Sequence, residues 1–237
     1  MKSLFIALDM ETKEEALAFL NRFNERRPSV KVGMELFYSS GPAIIQQLKA
    51  RGHDVFLDLK CHDIPKTVER TMHKLASFDV DLVTLHAAGG KTMMEAAKAG
   101  LDKGTPLGSI PPKCVAVTVL TSTTQAQLGK EMLIERPLEN TVFHFTDMSL
   151  RSGLDGVVCS VQEVEQLRKE FKEDVFTVTP GIRPRGTSHH DQKRAATPAK
   201  ARAAGVDAIV VGRAITTSND PLKAYERIHQ EWVGAGI

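Results

Sequence analysis

Two carboxylates and an ammonium group stand close together at the end of an apolar run. In VFLDLKCHDIP, residues 55–65, the charged residues are Asp58, Lys60 and Asp63. Charged side chains are rarely buried unless they are paired, so the pattern predicts a charge-paired cluster. Lys60 between two carboxylates should stay protonated, because nearby opposite charge favours the ammonium form. Such an ammonium can stabilise a developing carbanion and can then donate a proton to it as a general acid.

Other strand-like runs also contain polar residues or end in them. Each of these residues has an ordinary structural explanation when taken alone: Asp9 and Asp63 could cap helices, and Lys31 could extend its charge to the rim of a strand. His86 fits a hydrogen-bonded structural role. Together, six of eight strand-like runs bring polar groups to one rim, which favours a shared site. Outside residues 55–65 these groups are Asp9, Lys31, His86, Thr121, Gly212 and Arg213.

Two segments near the end of the sequence are suited to binding phosphate. Barrel enzymes often bind phosphate with the loops that follow strands 7 and 8. In VVGRAI, Gly212 would allow the backbone to approach an anion, and Arg213 would add a forked cationic donor. Arg183 and Gln192 lie toward the two ends of the polar loop RPRGTSHHDQKR, residues 183–194, and could close over the same phosphate. The alternative for these two residues is a solvated basic loop.

Eight short runs rich in β-branched residues must position these groups. Most are apolar on both faces, as parallel strands covered by helices must be. Because amphipathic segments lie between them, the pattern predicts a (β/α)₈ TIM barrel, an α/β fold formed as a single catalytic domain over residues 1–237. A doubly wound open sheet is the structural alternative. The longest connections, 121–140 and 183–194, are candidate functional loops. The runs are SLFIALD, SVKVGM, DVFLDLK, VDLVTLH, KCVAVTVLT, GVVCS, VFTVTPG and VDAIVVG.

Local signals mark where the first and last helices should begin. Thr12 and Glu15 have the spacing of a capping box, in which a side chain at the helix start bonds to the first turn. Asp220 followed by Pro221 predicts the start of the last helix, because proline is well suited to the first helical position.

Composition excludes several classes of protein. The 237 residues are 42% apolar and 25% charged, which is ordinary for a globular protein, and a net charge of +2 suggests neither a nucleic-acid nor a membrane partner. No run of about 18 apolar residues is present, so a membrane span is not expected. Cys61, Cys114 and Cys159 lack C-x-x-C spacing, which argues against a disulfide framework or a zinc site. The apolar run before Asp9 is too short for a signal peptide, so a cytoplasmic protein is expected.

The D-x-K-x-x-D pattern, with Lys31 on the preceding strand, resembles the orotidine 5′-monophosphate decarboxylase family of bacterial type. The resemblance implies decarboxylation of orotidine 5′-monophosphate at C6 to give uridine 5′-monophosphate, in de novo pyrimidine biosynthesis. It also implies a homodimer and no cofactor, although many other decarboxylases use pyridoxal phosphate, thiamine or a metal. Eight ordered segments carry the resemblance: ALD, KVG, FLDLKCHDIPKTV, HAAGG, LTS, TPGIRP, DQKR and VGRAI.

The same resemblance implies a role for each residue of the cluster. Lys60 would be the proton donor, and Asp58 would lie near the substrate carboxylate. Lys31 would hold Asp58 and a ribose hydroxyl. Asp63 would complete a Lys–Asp–Lys–Asp array and would serve the site of the neighbouring subunit.

The remaining implied contacts are all with the nucleotide. Ribose, pyrimidine and phosphate would each be bound by different loops at the same rim. The implied residues are Asp9 and Thr67 for the ribose, Thr121 for the pyrimidine edge, and Arg183, Gln192, Gly212 and Arg213 for the phosphate.

Two other functions remain open from the sequence. A sugar-phosphate lyase of the same barrel group, similar to 3-keto-gulonate-phosphate decarboxylase or hexulose-phosphate synthase, would share the D-x-K-x-x-D pattern but use Mg²⁺. Those enzymes resemble this chain except that a carboxylate replaces Lys31, and a lysine there would repel the metal. A non-catalytic ligand-binding barrel is the other alternative, and it would have no need of Lys60.

Overall fold

The protein forms a closed barrel of eight parallel strands, as described by a computed structural model over residues 2–184 and 196–234. Consecutive strands pair with one another, and β8 pairs with β1 to close the sheet. The predicted (β/α)₈ barrel is therefore confirmed, and the open sheet is wrong. That residues 1–237 form one catalytic domain stays a prediction. The strands are β1 (Ser3–Ala7), β2 (Ser29–Gly33), β3 (Val55–Cys61), β4 (Leu82–His86), β5 (Lys113–Val117), β6 (Gly156–Val158), β7 (Phe176–Thr179) and β8 (Ala208–Val211).

Helices surround the barrel and connect its strands. In the described part of the chain they are α1 (Lys13–Leu20), α2 (Met34–Ser40), α3 (Pro42–Ala50), α4 (Pro65–Ala76), α5 (Gly90–Gly104), α6 (Gln125–Lys130), α7 (Leu138–Arg151), α8 (Val161–Phe171), α9 (Pro198–Ala203), α10 (Arg213–Thr216) and α11 (Pro221–Val233). No helix among the described residues is long and apolar enough to cross a membrane.

Both predicted helix starts are present. Thr12 precedes α1, and its hydroxyl oxygen accepts a hydrogen bond from the Glu15 backbone N–H at 3.2 Å. Asp220 precedes α11, and its carboxylate accepts from the Lys223 N–H at 3.0 Å, with Pro221 in the first turn. These bonds satisfy backbone donors that the first helical turn leaves without a partner, so they fix where each helix begins.

The strands are buried on both faces, which explains their apolar sequences. One core lies between the strands and the helices, and a smaller one fills the barrel interior. In the interior, the rings of Phe5 and Phe56 meet edge to face with centroids 5.5 Å apart. This packing fills the barrel interior below the carboxyl-terminal rim, the end at which barrel enzymes bind their ligands.

Carboxylates tie neighbouring strands together at the opposite, amino-terminal face of the barrel. The aspartate immediately before each of β4, β6 and β8 accepts a hydrogen bond from a backbone N–H of the preceding strand. The pairs are Asp81 with Val55 (2.7 Å), Asp155 with Cys114 (2.8 Å) and Asp207 with Thr177 (2.7 Å). These three aspartates therefore support the fold by joining neighbouring strands.

Arg168 of α8 strengthens the last of these ties. Its guanidinium contacts the Asp207 carboxylate and donates to the backbone carbonyls of Gly205 and Val175, each at 2.9 Å. The Arg168 side chain is 14% exposed, so these bonds are largely protected from water. Arg168 thus joins α8 to the beginnings of β7 and β8.

The fifth strand is shorter than the sequence predicted. It ends at Val117, so Thr121 lies in the following loop and not at the strand end. Just beyond this strand end the Val158 carbonyl accepts from both the Thr118 hydroxyl, at 3.1 Å, and the Thr118 backbone N–H, at 3.5 Å. The predicted functional loop 121–140 contains α6, which starts with a reciprocal capping box between Thr124 and Gln127.

Candidate active site

A cavity of about 160 Å³ opens at the carboxyl-terminal rim of the barrel. Four of the predicted site residues, Lys31, Asp58, Lys60 and Thr121, line it together. The rest of the wall is apolar and comes from strands and loops around the barrel. These wall residues are Phe56, Val117, Val119, Leu120, Val158, Val178, Pro180 and Val210. A few charged groups on an apolar wall are typical of a small-molecule site, because the apolar surface excludes water from around the charges.

The charged residues form a chain of ion pairs. Lys60 Nζ lies 2.9 Å from Asp58 Oδ2, and Lys31 Nζ lies 3.8 Å from the same oxygen. Lys31 Nζ also lies 3.2 Å from Asp9 Oδ1. The side chains of Lys31 and Asp58 are only 12% and 13% exposed, whereas that of Asp9 is 64% exposed. Burial of Asp58 is tolerable because two ammonium groups flank it.

The end of β3 is irregular where the cluster sits. Leu57 pairs with Val83 and Cys61 with Leu85, so β3 has two more residues than β4 over this stretch. Lys60 has a φ of +52°, a left-handed conformation that costs a residue with a side chain roughly 1–2 kcal/mol. Strand irregularities and strained residues cluster at functional sites, where they redirect side chains. Here the left-handed backbone at Lys60 occurs in the residue whose side-chain ammonium pairs with Asp58, two residues earlier in the same strand.

Thr84 of β4 bonds to both ends of this irregularity. Its hydroxyl oxygen accepts from the Lys60 backbone N–H at 3.0 Å and lies 2.9 Å from Asp58 Oδ1, to which it donates. The residue is 1% exposed. We did not predict a role for Thr84 from the sequence, where its signal is one hydroxyl within the otherwise apolar strand before His86.

His86 lies beside the cluster without entering the cavity wall. Its ring is 5.7 Å from that of His62, centroid to centroid. Burial lowers the pKa of His86 below its usual range; nearby His62 and Lys60 lower it further, and Asp58 opposes them. The imidazole is therefore neutral at pH 7, which leaves the lysines as the cations of this cluster. The hydrogen-bonded structural role of His86 stays a prediction.

Asp63 and Thr67 are exposed, and neither lines the cavity. The Asp63 carboxylate accepts from the adjacent Ile64 N–H at 2.6 Å, and Ile64 is 67% exposed. Among the described residues Asp63 forms no ion pair, so it does not close the charge array within its own chain. The helix-capping alternative for Asp63 is also unsupported, because the residue that precedes α4 is Ile64.

The predicted phosphate residues lie after β7 and β8. Arg183 is 9% exposed, and one guanidinium nitrogen donates to the Ile182 carbonyl at 2.9 Å. Gly212 directly precedes α10, and Arg213, the first residue of that helix, is exposed. A Cβ built on Gly212 would make only ordinary contacts, the nearest at 3.6 Å to Ala7 Cβ and to Asp9 Oδ2, so packing does not account for the glycine. The fourth predicted residue, Gln192, lies outside the described residues.

A closed (β/α)₈ barrel with a charge-paired lysine in a cavity at the carboxyl ends of its strands has the architecture of a barrel enzyme. The chain belongs to the orotidine 5′-phosphate decarboxylase / HUMPS family, because the model of that family matches residues 2–228.

Individual relatives extend along almost the whole chain. A protein of Bacillus licheniformis called orotidine 5′-phosphate decarboxylase is 55% identical, and the match covers 97% of this chain and 96% of that protein. A protein of Geobacillus thermodenitrificans with the same name is 52% identical over the same shares. The crystal structure of orotidine 5′-phosphate decarboxylase from Lactobacillus acidophilus has a TM-score of 0.89 at 41% identity, covering 98% of this chain and 99% of that one. A Geobacillus kaustophilus structure described as an uncharacterized conserved protein has a TM-score of 0.87 at 48% identity, with shares of 97% and 99%.

Proposed function

We propose that this protein converts orotidine 5′-monophosphate to uridine 5′-monophosphate and CO₂, as a cytoplasmic carboxy-lyase of de novo pyrimidine biosynthesis. The observation that carries the proposal is the Lys60 ammonium, held 2.9 Å from Asp58 in the cavity at the barrel rim. Membership of the family supports the choice of substrate, since its model matches residues 2–228.

Lys60 supplies the chemistry that this decarboxylation needs. When the bond from C6 to the carboxylate breaks, its electron pair stays on C6, a carbon with no carbonyl placed to delocalise it. The Lys60 ammonium stabilises this charge because it is positioned before the charge develops. Lys60 then transfers a proton to C6, forming the C–H bond of the product, and regains a proton from water. No cofactor is required in this sequence of steps.

Asp58 acts on the ground state and on the position of Lys60. Its carboxylate lies next to that of the substrate, and the repulsion between them falls as CO₂ leaves. Lys31, 3.8 Å from Asp58 on the side of Asp9, pairs with this carboxylate and hydrogen-bonds to the ribose. The partial burial of both residues strengthens these interactions, because little water screens them.

The rest of the nucleotide is bound around the rim. Asp9 and Thr67 bind the ribose, and Thr121 binds the pyrimidine edge above the apolar wall. The phosphate is bound by the backbone N–H of Gly212 and by side chains from the loops after β7 and β8. The proposed phosphate side chains are Arg183, Gln192 and Arg213.

The position of Lys31 fits the sugar-phosphate lyase alternative less well than it fits the proposed decarboxylase. The Lys31 ammonium lies between the carboxylates of Asp9 and Asp58, at 3.2 and 3.8 Å. A divalent cation that used both carboxylates would occupy this same space and would be repelled by the ammonium.

We expect CO₂ to be released from orotidine 5′-monophosphate at the same rate with and without EDTA. The reason is that the lysines supply the positive charge at the site. Release of CO₂ and appearance of uridine 5′-monophosphate would be measured after prolonged chelation, then again with added Mg²⁺. Loss of turnover in EDTA that Mg²⁺ restores would support the metal-dependent lyase. Tight binding of the nucleotide without turnover would support a non-catalytic binding barrel.

Asp63 leads us to propose a homodimer with shared sites. The residue is exposed beside α4 and pairs with no cation among the described residues, although Lys60 is three positions away. In a two-fold dimer with facing rims, Asp63 of each chain would complete the Lys–Asp–Lys–Asp array of the other.

Mixing Lys60→Ala and Asp63→Ala chains should therefore restore activity that neither variant has alone. In the mixed dimer one site contains Lys60 from one chain and Asp63 from the other, so it is intact. Random exchange should restore about a quarter of the wild-type activity, because half of the dimers are mixed and each has one intact site. Turnover would be measured after subunit exchange has been verified with chains of different mass.

The matched control mixes Lys60→Ala with Asp58→Ala, two changes within the same chain's part of the site. No mixed dimer then contains an intact site, so activity should stay absent. Verified exchange without recovery in the first mixture would show that Asp63 does not act across the dimer.

A further inference from the structure

We propose that Thr84 is a positioning residue for the decarboxylation, because its hydroxyl holds the Lys60 backbone and the Asp58 carboxylate in one fixed relation. This inference rests on the proposed function of Lys60 and Asp58, and it assigns Thr84 a role in that same site. Thr84 is not among the residues that line the cavity, so it acts through the two residues it contacts.

The strand pairing gives Thr84 a special place. Between the Leu57–Val83 pair and the Cys61–Leu85 pair, three residues of β3 lie opposite Thr84 alone. The extra residues remove the Lys60 N–H from regular pairing with β4. A buried backbone donor without a partner is costly, and the Thr84 hydroxyl accepts this N–H at 3.0 Å. The left-handed backbone at Lys60 is therefore held by a side chain and not by the sheet.

The direction of each hydrogen bond is fixed by chemistry. A backbone N–H can only donate, so the Thr84 oxygen is its acceptor. The hydroxyl hydrogen is then available to Asp58 Oδ1 at 2.9 Å, and an ionised carboxylate can only accept. Asp58 Oδ2 remains directed toward the Lys60 ammonium at 2.9 Å. One hydroxyl thus orients both the acid that donates the proton and the carboxylate that pairs with it.

Thr84→Val tests this role because valine keeps the shape of threonine but can neither accept nor donate. Two buried polar groups then lose a partner, so we expect kcat for orotidine 5′-monophosphate to fall about 10- to 100-fold. The affinity for uridine 5′-monophosphate should change less than about 3-fold, because the apolar wall and the phosphate residues are unchanged. Steady-state kinetics, product binding and thermal unfolding would be measured on the full chain.

Two further substitutions distinguish the effect of losing the Thr84 hydroxyl from the effect of losing its methyl group. Thr84→Ser and Thr84→Ala both lack the methyl, and only serine keeps the hydroxyl. We expect serine to retain kcat within about 3-fold of wild type and alanine to follow valine. This comparison also decides the matter if the valine variant does not fold.

Thr146→Val is the matched control for loss of a buried threonine hydroxyl. Thr146 is fully buried in α7 and donates to the Val142 carbonyl at 2.8 Å, outside the cavity. It should change thermal stability and leave kcat unchanged. Wild-type kcat in Thr84→Val, an equal loss in serine and alanine, or a parallel loss of product affinity would each overturn the role of Thr84. Absence of turnover by the wild-type protein would instead overturn the proposed function, and this inference with it.

Discussion

Replacing Lys60 with alanine is expected to lower kcat for orotidine 5′-monophosphate by about 10⁴-fold or more, because in the proposed mechanism this one residue supplies both electrostatic stabilisation and the proton. The fold should survive, since the Lys60 side chain is 26% exposed and lies at the rim and not in the core. The measurements are kcat, thermal unfolding and binding of uridine 5′-monophosphate. A variant that kept a tenth of wild-type turnover would contradict the role of Lys60.

A matched control is available on α5. Lys98 pairs with Asp102 at 3.0 Å, so Lys98→Ala also removes a lysine from a Lys–Asp pair, but outside the cavity. It should keep wild-type kcat.

Asp58→Ala should be nearly as damaging as Lys60→Ala, and the double variant should be little worse than either one. Residues that act as a unit lose their shared contribution at the first substitution.

The second large effect is expected when the phosphate group is removed from the substrate. Orotidine without its phosphate should be decarboxylated with a drastically lower kcat/KM than the nucleotide. The phosphate lies far from the bond that breaks, but its binding energy can close the loops and assemble the site. We expect Arg213→Ala to cost the nucleotide reaction about 2–5 kcal/mol, the range for a charged group that loses its partner. The same variant should barely change the slow reaction of orotidine.

Comparison of both substrates on several variants makes this test specific. Gln192→Ala should follow the pattern of Arg213→Ala more weakly, because a glutamine amide can offer the phosphate only a neutral hydrogen bond. Arg26→Ala is the control: Arg26 is an exposed arginine that pairs with Glu226 at 2.9 Å, and its loss should change neither reaction. Equal losses on nucleotide and nucleoside in Arg213→Ala would show that Arg213 does not act through the phosphate.

The barrel was predictable because each strand has its own sequence signal. Strands covered on both faces by helices and by barrel interior need continuous apolar runs, and eight such runs with helices between them leave few possible folds. The strand ends were less predictable. KCVAVTVLT remains largely apolar beyond Val117, so its hydrophobic pattern does not mark the strand end that the structure shows there.

The charged residues of the cavity wall were predictable from the sequence, and their geometry was less so. Lys31, Asp58 and Lys60 stand out because a charged group in a strand-like run is costly to bury unless it is paired. The left-handed backbone at Lys60 has no such signal, since lysine is not a residue that favours positive φ. Thr84 was missed for a related reason: threonine is common in strands, and only the register between β3 and β4 reveals that it faces an irregularity. Whether Asp63 serves a neighbouring subunit depends on a second chain, which no property of one chain's sequence specifies.

The carboxylates on the amino-terminal face bear on how the chain folds. Each joins strands that are neighbours along the chain, with sequence separations of 26, 41 and 30 residues. Short separations cost little loop-closure entropy, so these bonds favour early formation of local β–α–β units. Pairing of β1 with β8 joins the two ends of the barrel sequence and has the largest entropic cost. We therefore expect closure of the β1–β8 seam to be the late step of folding, and the seam to be the first place where the barrel opens.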